Sequence, residues 1–392
     1  MDLDARNQQA PDFSGISSLR GVRALVLVGG RPGVECFGEM PLALLDILGR
    51  SVLLRTIDRL RAAGVAEIAV LSDTELPSPR PNTARFSVTL PKGFWEEALQ
   101  HVRRLARQSE CVLLLRLGSW AEVDYAAMVT QHRRSGAPLT QACLPDLQEL
   151  DVFVISSSSV AEAAALLRGE LRDQRIAPAL HETSGYVNPM KEPADLRKLV
   201  LDSFAGEAAV SPWGNELRPG VWMGFGARVH RDARIVAPAF VGAFCDVHSG
   251  AVVTRGSSLE HHSELDCATV VESSSVLPYT RVGAGLDVEQ SIVGFRQVHS
   301  MQHQITVDIE DPHLIGATRQ SLSVRAVSGV NRLLAFLPTA VWKLFFTPEQ
   351  ASSASEGIGA SAPVLGDTGL TPIQTETKAY REMATVRRYG DE

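Results

Sequence analysis

The chain has 392 residues, enough for two folded units, and its 45% hydrophobic and 21% charged content is that of a globular protein. A formal net charge of −7 argues against a broad basic surface for neutralising phosphates, so nucleic acid is not an expected partner. The five cysteines, Cys36, Cys111, Cys143, Cys245 and Cys267, show no CxxC spacing and read as free buried thiols in a reducing cytoplasm.

Residues 1–20 carry Asp, Asn, Gln, Pro, Gly and Ser with little apolar content and read as a disordered lead. They are acidic where an export signal is basic and then apolar, so the expected localisation is cytoplasmic. Ala24 to Val28 is a continuous apolar run ended by Gly29-Gly30, the pattern of a buried parallel strand emptying into a tight loop. Ser51 to Ala63 has helical spacing and Gly64 closes it; Glu67 to Leu71 is a second buried strand, completing a βαβ unit. Trp95 to Arg107 reads as a helix, Cys111 to Leu115 as a strand, and Glu122 to Arg134 as a helix ended by Gly136. Leu150 to Ile155 and Val160 to Leu171 repeat the alternation, which predicts a mostly parallel sheet with helices on both faces.

A different period takes over at Met223. Met223, Val229, Ile235, Val241, Val247, Val253, Leu259, Leu265, Val271 and Leu277 recur every six residues. Small side chains sit four places after nearly all of them: Ala227, Ala233, Ala239, Cys245, Ala251, Ser257, Ser263, Thr269 and Ser275. That spacing fits neither a helix nor an alternating strand; it is the sequence form of a parallel β-helix, with the aliphatic residue pointing inward and a small one at the corner. The register is expected to slip by one after Leu277, with Val282 and Val288 continuing it and a last coil ending near Gly294. Gln304 to Ile315 alternates briefly and is expected to pair onto that coil. Val324 to Phe346, within a helix expected over 321–347, has an apolar face interrupted by Arg325, Arg332, Pro338 and Lys343. That pattern suits packing on a subunit or contact with a membrane surface rather than a span. Residues 348–392 read as a disordered tail with a short charged helix near Ala379 to Arg388.

The run ALVLVGG followed by PLALLDILGRSVLLRTIDRLRAAGVAEIAVLSD resembles the opening of the nucleotide-sugar pyrophosphorylases, the sugar-1-phosphate nucleotidyltransferases, which often carry a C-terminal hexapeptide β-helix. The resemblance covers roughly Arg23 to Gly294. It implies an α/β fold: a shortened Rossmann-like (GT-A-like) nucleotidyltransferase domain at 21–205, followed by a left-handed parallel β-helix with its extension at 219–315. It also implies a phosphate-cradling loop at Gly29, Gly30, Arg31 and Gly33. The residues that would carry catalysis depart from the family pattern. Glu35 stands where the family has an Arg, Leu42 where it has a Lys, and Ser119 and Pro189 where it has the two Asp that hold Mg²⁺.

Phosphoryl transfer is mostly positioning and electrostatics. The expected function is therefore a catalytically degenerate subunit that regulates or scaffolds nucleotide-sugar and surface-polysaccharide synthesis. It would form a homo-oligomer, engage a glycan-synthesis enzyme or retain a nucleotide or sugar phosphate, and need no cofactor. The alternative is an active sugar-1-phosphate nucleotidyltransferase using Mg²⁺, with relocated ligands among Glu35, Glu39, Asp46, Asp73 and Asp124. A third reading is a hexapeptide acyltransferase, for which His230, His248, His261 and His262 are the candidate general bases.

Overall fold

The computed structural model describes residues 19–29, 36–37, 40–74, 84–89, 93–160 and 178–318. The tail, the segment 324–346, nearly all of the lead and all but the first residue of the expected Val160–Leu171 helix lie outside these residues.

The first part is an α/β arrangement around a seven-stranded sheet. Its order is Ala179–Glu182, Leu139–Cys143, Glu149–Ser156, Cys111–Leu117, Val22–Val28, Glu67–Ser72, Arg85–Val88. The strand Val22–Val28 is uniformly apolar because its alternate residues enter two different cores. Ala24, Val26 and Val28 face the side with Leu53, Ile57, Met128 and Val129. Leu25 and Leu27 face Phe94, Ala98, Val102 and Leu105 on the other. Among the described residues, helices Val52–Ala62, Phe94–Ala106 and Tyr125–Ser135 cover the sheet. The first is capped by the Ser51 hydroxyl, which accepts from Leu54 N at 3.3 Å. The third is capped by Asp124, which accepts from Ala126 and Ala127 N, and ends at Gly136 in the left-handed conformation.

The sheet is less uniformly parallel than its periodicity predicts. Val22–Val28 pairs in parallel with Glu67–Ser72 and Cys111–Leu117, but Glu149–Ser156 runs antiparallel to both of its neighbours. The cause is Leu139–Cys143, a strand absent from the sequence reading, joined to Glu149–Ser156 by a connection too short for a parallel crossover. Its Thr140 and Gln141 hid it: both are buried polar residues. The Thr140 hydroxyl bonds His132 Nδ1 at 2.8 Å, and Gln141 Nε2 donates to Leu150 O at 3.2 Å.

From Val221 onward the chain makes short strands that belong in turn to three sheets. The first six pair in parallel with the strand eighteen residues on, as Val221 with Ala239, Arg228 with Asp246 and Arg234 with Val252. The inward residues Val241, Val253, Leu259, Leu265 and Val271 are completely buried. The register slips earlier than the sequence suggests. Leu259 pairs with Val276, seventeen residues on, and Leu265 with Val282. Val276, not Leu277, therefore enters the interior, and Leu277 is turned to a separate apolar cluster. Ser274 rather than Ser275 takes the corner: its hydroxyl donates to Val288 O at 3.2 Å, as Ser257 does to Val271 O at 3.1 Å and Thr269 to Gly283 O at 2.5 Å.

The expected pairing of Gln304 to Ile315 takes two forms. Ile305–Asp308 joins antiparallel to Gln297–Ser300, which folds back on Ser291–Gly294. Ile315–Ala317 pairs antiparallel with Thr280–Val282.

The two parts meet along one apolar seam, in which Phe37, Leu42, Ile47, Leu48, Trp120 and Met190 share a cluster with Phe240, Leu277 and Ile292. Among the described residues, no helix is long and apolar enough to cross a membrane. Cys111, Cys143 and Cys245 are free and buried as expected, but Cys267 is exposed because it sits on an outward turn.

Candidate functional sites

Among the described residues, three places bring reactive side chains together: the ends of the central strands, the seam, and the outer face of the three-sheet region.

At the end of Val22–Val28, Gly29 has φ +97°, and a Cβ built there would fall inside the Asp73 carboxylate. Only glycine fits. Gly30, Arg31, Gly33, Glu35 and Glu39 lie outside the described residues. Leu42 lies in the short 3-10 turn Leu42–Leu44 and is 1% exposed, so that position serves packing. Ser119 lines a cavity of about 20 Å³ with Thr56, Arg116, Tyr125 and Asp151. Arg59 braces this region, donating to Ala121 O at 2.6 Å and Val123 O at 3.1 Å. Trp120–Ala121 pairs antiparallel with Val187–Asn188, Trp120 opposite Asn188. Ser119 and exposed Pro189 thus lie at the same end of one ladder. Asp151, which the sequence did not single out, comes to the same cavity because its strand is reversed; Arg116 Nη1 lies 3.9 Å from its Oδ1.

Of the other carboxylates named from sequence, Asp124 is a helix cap, as above. Asp73 accepts from the Thr74 hydroxyl at 2.9 Å. Asp46 is far from both: it is in the seam, its Oδ2 2.7 Å from His261 Nδ1.

The seam holds a buried polar group that local sequence patterns do not show. Asp46–Ile47 and Arg50–Ser51 form a two-residue hairpin whose turn residues, Leu48 and Gly49, both have positive φ. Their N–H groups donate to Glu260 at 2.9 and 2.7 Å. Arg55 donates to Ile47 O at 2.7 Å, Leu48 O at 3.1 Å and Ser211 O at 2.9 Å. Burial, and then the nearby Asp46 charge, push the Glu260 carboxyl up to about 7. Burial alone would lower His261, but contact with Asp46 carries it above the usual histidine value.

The third place is a cavity of about 460 Å³ lined by Phe244, His262, Glu264, Arg281 and Thr318 among others. Phe244, His262 and Tyr279 stack as successive outward turns, with ring centroids 5.0 and 4.9 Å apart. Burial, then His261, hold His262 below the usual histidine value. Arg228 pairs with Asp246, and Arg281 with Asp266 at 2.6 Å. The lining is thus charge-balanced and suits a polar, uncharged or zwitterionic molecule better than a bare anion. The four histidines named from sequence do not converge. His230 lies 3.5 Å from Asp232 and His248 3.4 Å from Glu264; only His261 and His262 adjoin, edge to face at 5.3 Å.

No protein family and no curated protein matches this chain.

Proposed function

We propose that this protein is a catalytically degenerate relative of the sugar-1-phosphate nucleotidyltransferases. In this reading it is a cytoplasmic regulatory or scaffold subunit of nucleotide-sugar and surface-polysaccharide synthesis, and its three-sheet region is a left-handed parallel β-helix. The observation that carries the reading is the ladder of Trp120–Ala121 with Val187–Asn188. It puts Ser119 and Pro189, the two positions that the resemblance assigns to metal-holding carboxylates, at one end of a single ladder. Convergence of the two positions supports the resemblance. A hydroxyl and a proline at those two positions supply neither of the carboxylates that would neutralise a divalent ion bridging phosphates. The burial of Leu42, in the place of a phosphate-contacting Lys, supports the same conclusion.

A homo-oligomer fits this reading, since Phe225 and Phe244 expose 48% and 47% of their surface side by side on the outer face. Sugar nucleotide or a glycan-synthesis enzyme is the partner class.

A second reading has Asp151 in its favour. As the carboxylate beside Ser119, it would serve as the relocated Mg²⁺ ligand of an active nucleotidyltransferase. One assay separates the two readings. Purified protein given each NTP, a panel of sugar 1-phosphates and Mg²⁺ is expected to release no pyrophosphate above a protein-free control. Turnover that Asp151→Asn abolishes would establish the active enzyme instead.

A further inference from the structure

We propose that His248, Asp266 and Cys267 form a binding site for a divalent transition-metal ion of the zinc type on the outer face of the three-sheet region. One ligand atom from each lies within 4.8 Å of the other two. Among the described residues, this is the one group of three or more His, Cys, Asp or Glu side chains gathered so closely.

The repeat itself creates the juxtaposition. His248 and Asp266 are eighteen residues apart, and each directly follows a strand of one parallel ladder, in which Val247 pairs with Leu265. Residues so related are separated by the strand spacing of about 4.8 Å. Side chains rising from that spacing need only a small convergence to reach one ion at the roughly 2.0–2.3 Å bond lengths of zinc. Cys267 extends the set from the adjacent position and is exposed, so its sulfur is open to an ion from solvent. The backbone beneath is fixed: His248 N donates to Leu265 O at 3.0 Å, Asp266 N to Val282 O at 3.0 Å, and Gly285 N to Cys267 O at 2.9 Å. Ligands carried on such a ladder are held in place before the ion arrives.

The surroundings also match what a metal site requires. Asp266 Oδ1 accepts from Cys267 N at 2.8 Å and Oδ2 from Arg281 Nη2 at 2.6 Å. A carboxylate has about four lone-pair positions, so both bonds can persist while one oxygen ligates. Glu264 Oε1 lies 3.4 Å from His248 Nε2, so a carboxylate stands beside the imidazole, as outer partners commonly do beside ligating histidines. With Cys267 as thiolate, three anions (Glu264, Asp266, Cys267) face one cation, Arg281. The two charges left over are those a divalent ion balances, and the thiol proton leaves to solvent on binding. Thiolate, imidazole and carboxylate together select zinc, or cobalt in its place, over the oxygen-seeking magnesium and calcium. The site lies on the opposite part of the molecule from Ser119 and Pro189, so it stands or falls independently of the function proposed above.

Cobalt provides the readout. Chelator-treated full-length protein titrated with Co²⁺ is expected to bind one ion per chain, with ligand-field and thiolate charge-transfer absorption that Zn²⁺ then abolishes. Cys267→Ser is expected to remove the charge-transfer band, and His248→Ala to weaken binding by more than the roughly 10- to 100-fold typical of losing an outer partner. Both positions are on the surface, so both variants should melt like the wild type. Absence of cobalt absorption in the wild type overturns the proposal, as does a spectrum that persists unchanged in folded Cys267→Ser.

Discussion

Glu260 accepts the backbone N–H of Leu48 at 2.9 Å across 212 positions of sequence, and so ties a hairpin of the first part to the three-sheet region. The bond compensates an otherwise awkward turn, since Leu48 has φ +53° and a non-glycine residue there costs on the order of 1 kcal/mol or more. It also makes the seam sensitive to pH. Glu260 is pushed up to about 7 by burial and by Asp46, so the fold favours its neutral form. That contribution is complete below the usual carboxylate value of 4.5 and lost as pH rises through about 7. His261, raised net by Asp46, contributes in the same sense: its share is present below the usual 6.5 and lost above its folded value. Both effects make the seam's contribution decline between about pH 5 and pH 8, with Glu260 accounting for on the order of 3 kcal/mol, while histidines held below their usual value, His132 and His262 among them, run the opposite way. Glu260→Gln should lower stability at pH 5 and flatten the decline. A stability advantage of wild type over Glu260→Gln that does not shrink from pH 5 to pH 8 would refute the assignment.

Replacing Leu42 by the Lys of the resembling family should harm the fold rather than restore chemistry. The side chain is 1% exposed among Phe37, Leu45, Ile47, Trp120 and Met190. The substitution forfeits about 1.5–3 kcal/mol of apolar burial and asks an ammonium to sit without a counter-charge. Leu42→Lys is therefore expected to cost more than about 3 kcal/mol in chemical denaturation. Leu42→Met, similar in volume, should cost less than about 1.5 kcal/mol. A Lys variant as stable as the wild type would show that the segment opens to solvent.

How much of this was legible beforehand depended on whether a residue's role was local. The six-residue spacing exposed the inward positions from Met223 to Val271 because one repeated geometry imposes one repeated side-chain size. It misplaced the slip at Leu277 because Val276 and Leu277 are both aliphatic, and only the pairing of Leu259 with Val276 decides between them. The helix start at Ser51 was legible in the spacing, while Asp124 caps a helix that the spacing began early, at Glu122. The Leu139–Cys143 strand was masked by Thr140 and Gln141, whose burial depends on His132 and Leu150 from other elements. Glu260 stands outside both registers of the repeat, and its partners come from a hairpin 211 and 212 positions away. No spacing rule carries that information. Nor could the sequence bring Asp151 to Ser119, since that requires the reversal of a strand.

Arg197 offers a test in the opposite direction, toward greater stability. It lies in the Pro193–Ala205 helix and is 3% exposed, and burial lowers its guanidinium to about 10. Its Nη1 makes one long bond to the Ser275 hydroxyl, 3.4 Å, and its Nη2 has no partner among the described residues. An unsatisfied buried donor costs about 1–3 kcal/mol, while the aliphatic stem contributes packing that a Met retains. Arg197→Met is therefore expected to raise the denaturation midpoint by an amount corresponding to about 1 kcal/mol. Arg197→Ala should lower it by removing the stem as well. Loss of stability in the Met variant would mean that the charge itself holds the helix against the three-sheet region.

The corner hydroxyls of the three-sheet region serve as rungs between successive circuits, and Ser274 shows how much each contributes. Its oxygen accepts from Ser291 N at 3.0 Å, and its hydrogen is shared between Glu272 O at 2.7 Å and Val288 O at 3.2 Å. The residue is completely buried, so no water can replace these partners. Ser274→Ala leaves the Ser291 N–H unsatisfied in the interior and is expected to cost about 1–3 kcal/mol. Ser274→Leu must also force a large side chain into the corner, adding about 1–3 kcal/mol of strain. Ser273→Ala, one residue away, is the control: that hydroxyl donates to Arg255 O at 3.2 Å from a solvent-facing turn, and its loss should change the midpoint by less than about 0.5 kcal/mol. Urea denaturation of the three variants orders them directly. If Ser274→Ala proves as mild as Ser273→Ala, the circuits are held by strand pairing and apolar contacts alone, and the hydroxyl column is only a consequence of the small corner.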